Sequence, residues 1–129
     1  MHSLQRNEIP EGVVVYRIHG PFLFGAGDKL AVIEEEIDDL PRVVILRLRN
    51  MTAIDATGLH AVECLAERLH ASGRHLVLCG MRRQPAELIA QTEFDRQIGE
   101  RNLQPNLAAA LARARELLAP APEPTRRSA

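Results

Sequence analysis

The chain has 129 residues, 46% hydrophobic and 26% charged, which is enough for one aliphatic-cored domain without disulfide or metal staples. A net charge of −1, with 16 basic residues scattered along the chain and all but Lys29 arginine, argues against a nucleic-acid binder driven by counterion release. Cys64 and Cys79 make no disulfide framework, the N-terminus lacks a signal-peptide pattern, and the apolar runs, Val43 to Leu46 among them, fall far short of the ~20 residues that span a bilayer. These features predict a reduced, cytoplasmic setting and no direct membrane insertion.

Residues 1–11 are polar, contain Pro10 and read as a linker. Val13 to Ile18 is β-branched and aromatic, a strand ending at Gly20-Pro21. Phe22-Leu23-Phe24 reads as a short second strand stopped by Gly25-Ala26-Gly27, and so short a connection predicts antiparallel pairing with the first. Leu30, Ile33, Ile37 and Leu40 recur at steps of three and four, the apolar stripe of a helix whose other face carries Glu34, Glu35, Glu36, Asp38 and Asp39. Pro41 stops it. Val43 to Leu46 is a strand covered on both faces. Leu59, Val62, Ala66 and Leu69 define a second amphipathic helix with Gly73 placed to end it.

His75 to Cys79 is a further short strand closed by Gly80, and Pro85 suits the first turn of a helix carrying Leu88 and Ile89. A weak strand is expected around Arg96 to Ile98. Leu107, Leu111, Ala114 and Leu118 mark a last helix. The domain is thus expected over residues 12–118, with the Pro-rich stretch 119–129 a disordered tail. The alternating order predicts an α/β fold: a mixed, mostly parallel sheet of four to five strands with about four helices and an antiparallel first pair.

Ile54-Asp55-Ala56-Thr57-Gly58-Leu59 leaves the buried strand through a short turn and opens a helix. Ligands of open α/β sheets gather at the carboxyl ends of strands, and helix N-termini attract anions, so the Thr57 hydroxyl stands where chemistry would be expected. The same residues also suit a plain helix cap, in which Asp55 or Thr57 satisfies orphan N–H groups.

This segment resembles the D-[ST/A]-[ST]-G signature of STAS domains, the module shared by SulP transporters and anti-sigma-factor antagonists. In the antagonists the hydroxyl residue before the Gly is phosphorylated, a role that falls here on Thr57, flanked by Asp55 and Gly58. The preceding family Ser is replaced by Ala56. Tyr16 to Ala26, with Gly20-Pro21-Phe22-Leu23-Phe24-Gly25, is similar to the G-P-L-F-F-G segment of SulP STAS domains, and Phe94 to Gly99 with Asn102-Leu103 to their ending before the last helix. The resemblance runs from about Val13 to Leu118.

It implies a STAS fold and a regulatory, non-catalytic domain on the cytoplasmic face of the inner membrane, attached to a parent that carries sulfate, bicarbonate or dicarboxylates. Its partners would be the transmembrane domain of that parent and, through it, a second copy; a regulatory protein or nucleotide is also allowed. Phe22, Phe24, Gly25 and Gly27 form the candidate docking loop. The alternative is a free-standing anti-sigma-factor antagonist, a phosphorylation-controlled protein-binding switch.

Other motifs are weaker. Gly25-Ala26-Gly27 lacks the third glycine of a dinucleotide fingerprint, and no P-loop occurs. His60 and Cys64 lie one helical turn apart, but a transition-metal site needs three or four ligands, so no metal and no cofactor are expected. His19, His60, His70 and His75 have no serine on a nucleophile elbow to serve, and Cys79 reads as a small core hydrophobe.

Overall fold

A computed structural model describes residues 9–23 and 28–119. In chain order the elements are β1 (Val13–Arg17), α1 (Asp28–Glu35), a 3-10 turn (Ile37–Asp39), β2 (Val43–Arg47), α2 (Ala56–Ala71) and β3 (His75–Cys79), then α3 (Arg83–Thr92), α4 (Phe94–Ile98), a second 3-10 turn (Glu100–Asn102), β4 (Leu103–Gln104) and α5 (Leu107–Leu118). None of the described helices is long and apolar enough to cross a membrane.

The four strands lie in the order β1-β2-β3-β4, and every adjacent pair is parallel. Val43, Val44, Ile45 and Leu46 are wholly buried at the centre, as a continuous apolar run requires. Because successive side chains point to opposite faces, the strands supply two cores. Val44, Leu46, Leu76 and Leu78 pack with Leu30 and Ile33 of α1, Leu59, Val62, Leu65 and Leu69 of α2, and Ile89 of α3. Val43, Ile45, Val77 and Cys79 face Ala110, Leu111 and Ala114 of α5, with Ile9 packed against them. Burial pushes the Cys79 thiol up to about 11, partly offset by the Arg47 guanidinium, so it stays protonated.

α2 ends as its sequence prescribes. Gly73 takes φ 83, its N–H donates to the His70 carbonyl at 3.0 Å, and the Arg74 N–H donates to the Leu69 carbonyl at 2.8 Å. This two-bond closure needs a left-handed residue after the helix, which glycine adopts without strain. The Arg74 side chain then donates to the carbonyls of Leu40 and Asp38, fastening this end of α2 to the first 3-10 turn.

Four expectations are corrected. The first strand pair is not antiparallel: β1 pairs with β2 in parallel, Val13 opposite Val43 and Arg17 opposite Arg47. Gly20, at φ 76, jogs the chain without reversing it. The Gly20 and Phe22 N–H groups donate to the Asn50 and Ala53 carbonyls at 2.8 and 2.7 Å, and Phe22 forms a single parallel bridge with Ile54. The segment after β1 therefore continues alongside the segment after β2.

The stripe from Leu30 to Leu40 is buried as expected, but the helix stops at Glu35 and its last part is the 3-10 turn. Residues 96–98 are helical, not extended. Phe94 and Ile98, four apart, share one apolar face of α4, and the fourth strand is the two-residue β4. The described residues hold five helices and two 3-10 turns, where about four helices are expected.

Candidate functional site

The Ile54–Gly58 turn is built by three neighbours. Asp55 is the N-cap of α2, and its Oδ1 accepts from the Gly58 N–H at 2.8 Å. Capping of this kind is worth about 1 kcal/mol. Gln84, in the first turn of α3, holds the Ile54 peptide from both sides: its Oε1 accepts from the Ile54 N–H at 2.8 Å and its Nε2 donates to the Ile54 carbonyl at 2.9 Å. Phe22 supplies the third contact through its bridge to Ile54 and its fully buried ring.

Gly58 fills a place that no side chain fits. A Cβ there would lie 2.2 Å from the Phe22 carbonyl oxygen and 3.0 Å from both Ile54 Cγ1 and Phe22 Cδ2. Thr57, at the second position of α2, is exposed, and its hydroxyl has no hydrogen-bond partner among the described residues. The result is a rigid turn that presents one free hydroxyl at the N-terminus of a 16-residue helix. Asp55 therefore takes the capping role, leaving the Thr57 hydroxyl outside it.

Two of the sequence motifs thus meet. Phe22 lies directly beneath the Asp55–Gly58 turn, so its ring is core and not an exposed docking group. Leu23, 40% exposed, is the apolar side chain that this segment shows to solvent. Phe24, Gly25 and Gly27 of the candidate docking loop lie outside the described residues, as does Ala26.

Elsewhere, His60 Nε2 stands 3.5 Å from Cys64 Sγ, and His60 Nδ1 lies 3.6 Å from a Glu63 carboxylate oxygen. No group of three or more His, Cys, Asp or Glu residues able to hold a metal occurs among the described residues. Within the acidic face, Glu34 meets Arg68 of α2 at 3.6 Å, while Glu35, Glu36, Asp38 and Asp39 are exposed. Gln84 carries no signal in the sequence, since a glutamine beside a helix-starting proline is ordinary; only the fold brings it to Ile54.

Replacing Gln84 with alanine removes both hydrogen bonds to Ile54, each worth about 1 kcal/mol. We expect a loss of about 1–2 kcal/mol and faster amide exchange at Ile54. Unchanged exchange there would show that Gln84 does not hold the turn.

A parallel sheet with helices on both faces, its carboxyl edge carrying a capped turn and an exposed hydroxyl, defines an open α/β domain. The chain belongs to the STAS domain family, whose pattern matches residues 5–110. A sulfate transporter family protein from Wolinella succinogenes has a similar structure at TM-score 0.78 and 35% identity, over 85% of this chain and 90% of that one. The STAS domain of a SulP transporter from Vibrio cholerae aligns at TM-score 0.75 and 23% identity, over 90% and 97% of the two chains. The candidate sulfate transporter YvdB of Bacillus subtilis is 27% identical over 100 residues, which are 77% of this chain and 19% of that protein. The chain therefore spans about a fifth of that relative's length. Anti-sigma-factor antagonists share the fold.

Proposed function

We propose that this domain regulates and docks to the membrane part of a SulP-type anion transporter, on its cytoplasmic face, and performs no catalysis of its own. The observation that carries this reading is the likeness, across nearly the whole fold, to a sulfate transporter family protein. Sulfate, bicarbonate and dicarboxylates are the anion classes such a parent would carry. Contacts with the transmembrane part, and through it with a second copy, are the interactions such a domain would make. A gene that encodes a series of apolar segments of ~20 residues each upstream of residue 1 supports the reading, and its absence removes it.

Within that role, Thr57 is the regulatory position. A phosphate on it would add about −1.5 to −2 charges beside the free N–H groups of the first turn of α2. The helix dipole favours such a charge by up to ~2 kcal/mol, and the Asp55 carboxylate opposes it. The two effects largely cancel within the fold, so the charge acts on whatever docks there.

Thr57→Glu should change stability by less than about 0.5 kcal/mol, as surface substitutions generally do, while altering transport by the full-length parent. Thr57→Ala and Thr57→Glu transporting like wild type at equal expression would leave Thr57 no regulatory role. The second reading, a free-standing phosphorylation switch, draws on the same exposed hydroxyl. It is distinguished by binding of a kinase partner in the absence of any membrane protein.

A further inference from the structure

On the opposite face of the sheet from the Thr57 turn, the carboxyl ends of β2 and β3 and the start of α5 line an open cavity of about 270 Å³. Arg47 and Arg49 line one wall, and Pro105, Asn106 and Leu107 another. Among the described residues neither guanidinium forms an ion pair with a carboxylate. Arg17 sits opposite Arg47 in the parallel register, so their side chains leave the sheet on the same face about 4.8 Å apart. Arg82 donates from Nε to the Arg49 carbonyl at 2.7 Å, which helps hold the Arg49 backbone in place. The α5 N-terminus adds little, because Asn106 Oδ1 already accepts from the Ala109 N–H at 2.8 Å. The positive charge at the cavity therefore comes from the arginines.

We propose that this cavity binds a small dianionic oxyanion, phosphate or sulfate, free or as the head of a small ester. Arginine presents a planar fork of donors that matches such oxygens, and two forks balance two negative charges. Pro105 and Leu107 give the wall an apolar side against which a short hydrocarbon or ring would rest. The volume lies just under the ~300 Å³ at which ordinary ligand pockets begin, too small for a dinucleotide. The location, beyond the carboxyl ends of parallel strands, is where open α/β sheets hold ligands. Arg47 and Arg49 are neighbours in the sequence, and the parallel register adds Arg17 from another strand.

The test is a titration of the full 129-residue chain followed by amide NMR, with sodium phosphate, sodium sulfate and phenyl phosphate as probes. Sodium chloride at matched ionic strength is the control. The expected result is saturable shifts at the Gly80 and Leu107 amides, tighter with phenyl phosphate if an ester is the natural form and equal with phosphate or sulfate if a free anion is. Arg47→Gln and Arg49→Gln should each weaken binding at least tenfold, and Arg68→Gln, on α2, should leave it unchanged. If Arg47→Gln fails to fold, Arg49→Gln, on an exposed loop, decides the matter alone. Shifts matched by chloride, shifts confined to residues 56–58, or binding retained in Arg49→Gln would each overturn the proposal.

Discussion

Gly58→Ala should destabilise the domain by about 3 kcal/mol or more, at the upper end of what overpacking costs in a well-filled core. The new methyl would stand 2.2 Å from a backbone oxygen, that of Phe22. A side chain in that position could swing aside, but this carbonyl belongs to a segment fastened by the Phe22 N–H to the Ala53 carbonyl and by the Phe22–Ile54 bridge. The first turn of α2 would have to lift off, breaking the Asp55 cap as it went. An unfolding free energy from urea titration within about 1 kcal/mol of wild type would refute this account of the glycine. The neighbouring Ala56→Ser, at an exposed position, should shift stability by no more than about 0.5 kcal/mol. A loss of regulation in a Gly58 variant therefore reports the fold, whereas a loss in a Thr57 variant reports the site.

Phe22→Ala should cost about 3–5 kcal/mol, the range for deleting a buried aromatic ring. Its side chain is wholly buried and packs in the core that α1, α2 and α3 share. Leu23→Ala, one residue on and 40% exposed, should change stability by less than about 0.5 kcal/mol. Thermal melts of the two variants separate packing from docking. A Phe22→Ala protein that melts like wild type yet fails to engage the parent would restore the docking role expected from sequence.

What the sequence made legible was local. The run Val43–Leu46 could be recognised as a doubly covered strand because burial on both faces leaves no polar position. α2 could be bounded from Asp55 to Gly73 because caps are written in one or two residues. The direction of β1 could not be read the same way. A Gly-Pro pair announces a break, but whether the chain reverses or only jogs depends on which partner it meets, and that partner is some thirty positions away.

The same holds for the site. Thr57 and Gly58 stand out through their resemblance to a known signature, yet spacing alone does not tell that the Phe22 ring is covered by residues of other segments. Gln84 and the Arg47–Arg49 wall were illegible for the same reason. Their meaning lies in tertiary neighbours, not in spacing.

The arrangement of α5 bears on how the protein is made. The strands that build the sheet's centre are complete at Cys79, but the face formed by Val43, Ile45, Val77 and Cys79 receives its helix only when residues 107–118 follow. On a ribosome adding about 5–20 residues per second, the ~40 residues between those points take roughly 2–8 s. For that interval a nascent aliphatic surface stands bare, and a chaperone has its opportunity to hold it. Slower translation of the segment between β3 and α5 would lengthen that exposure.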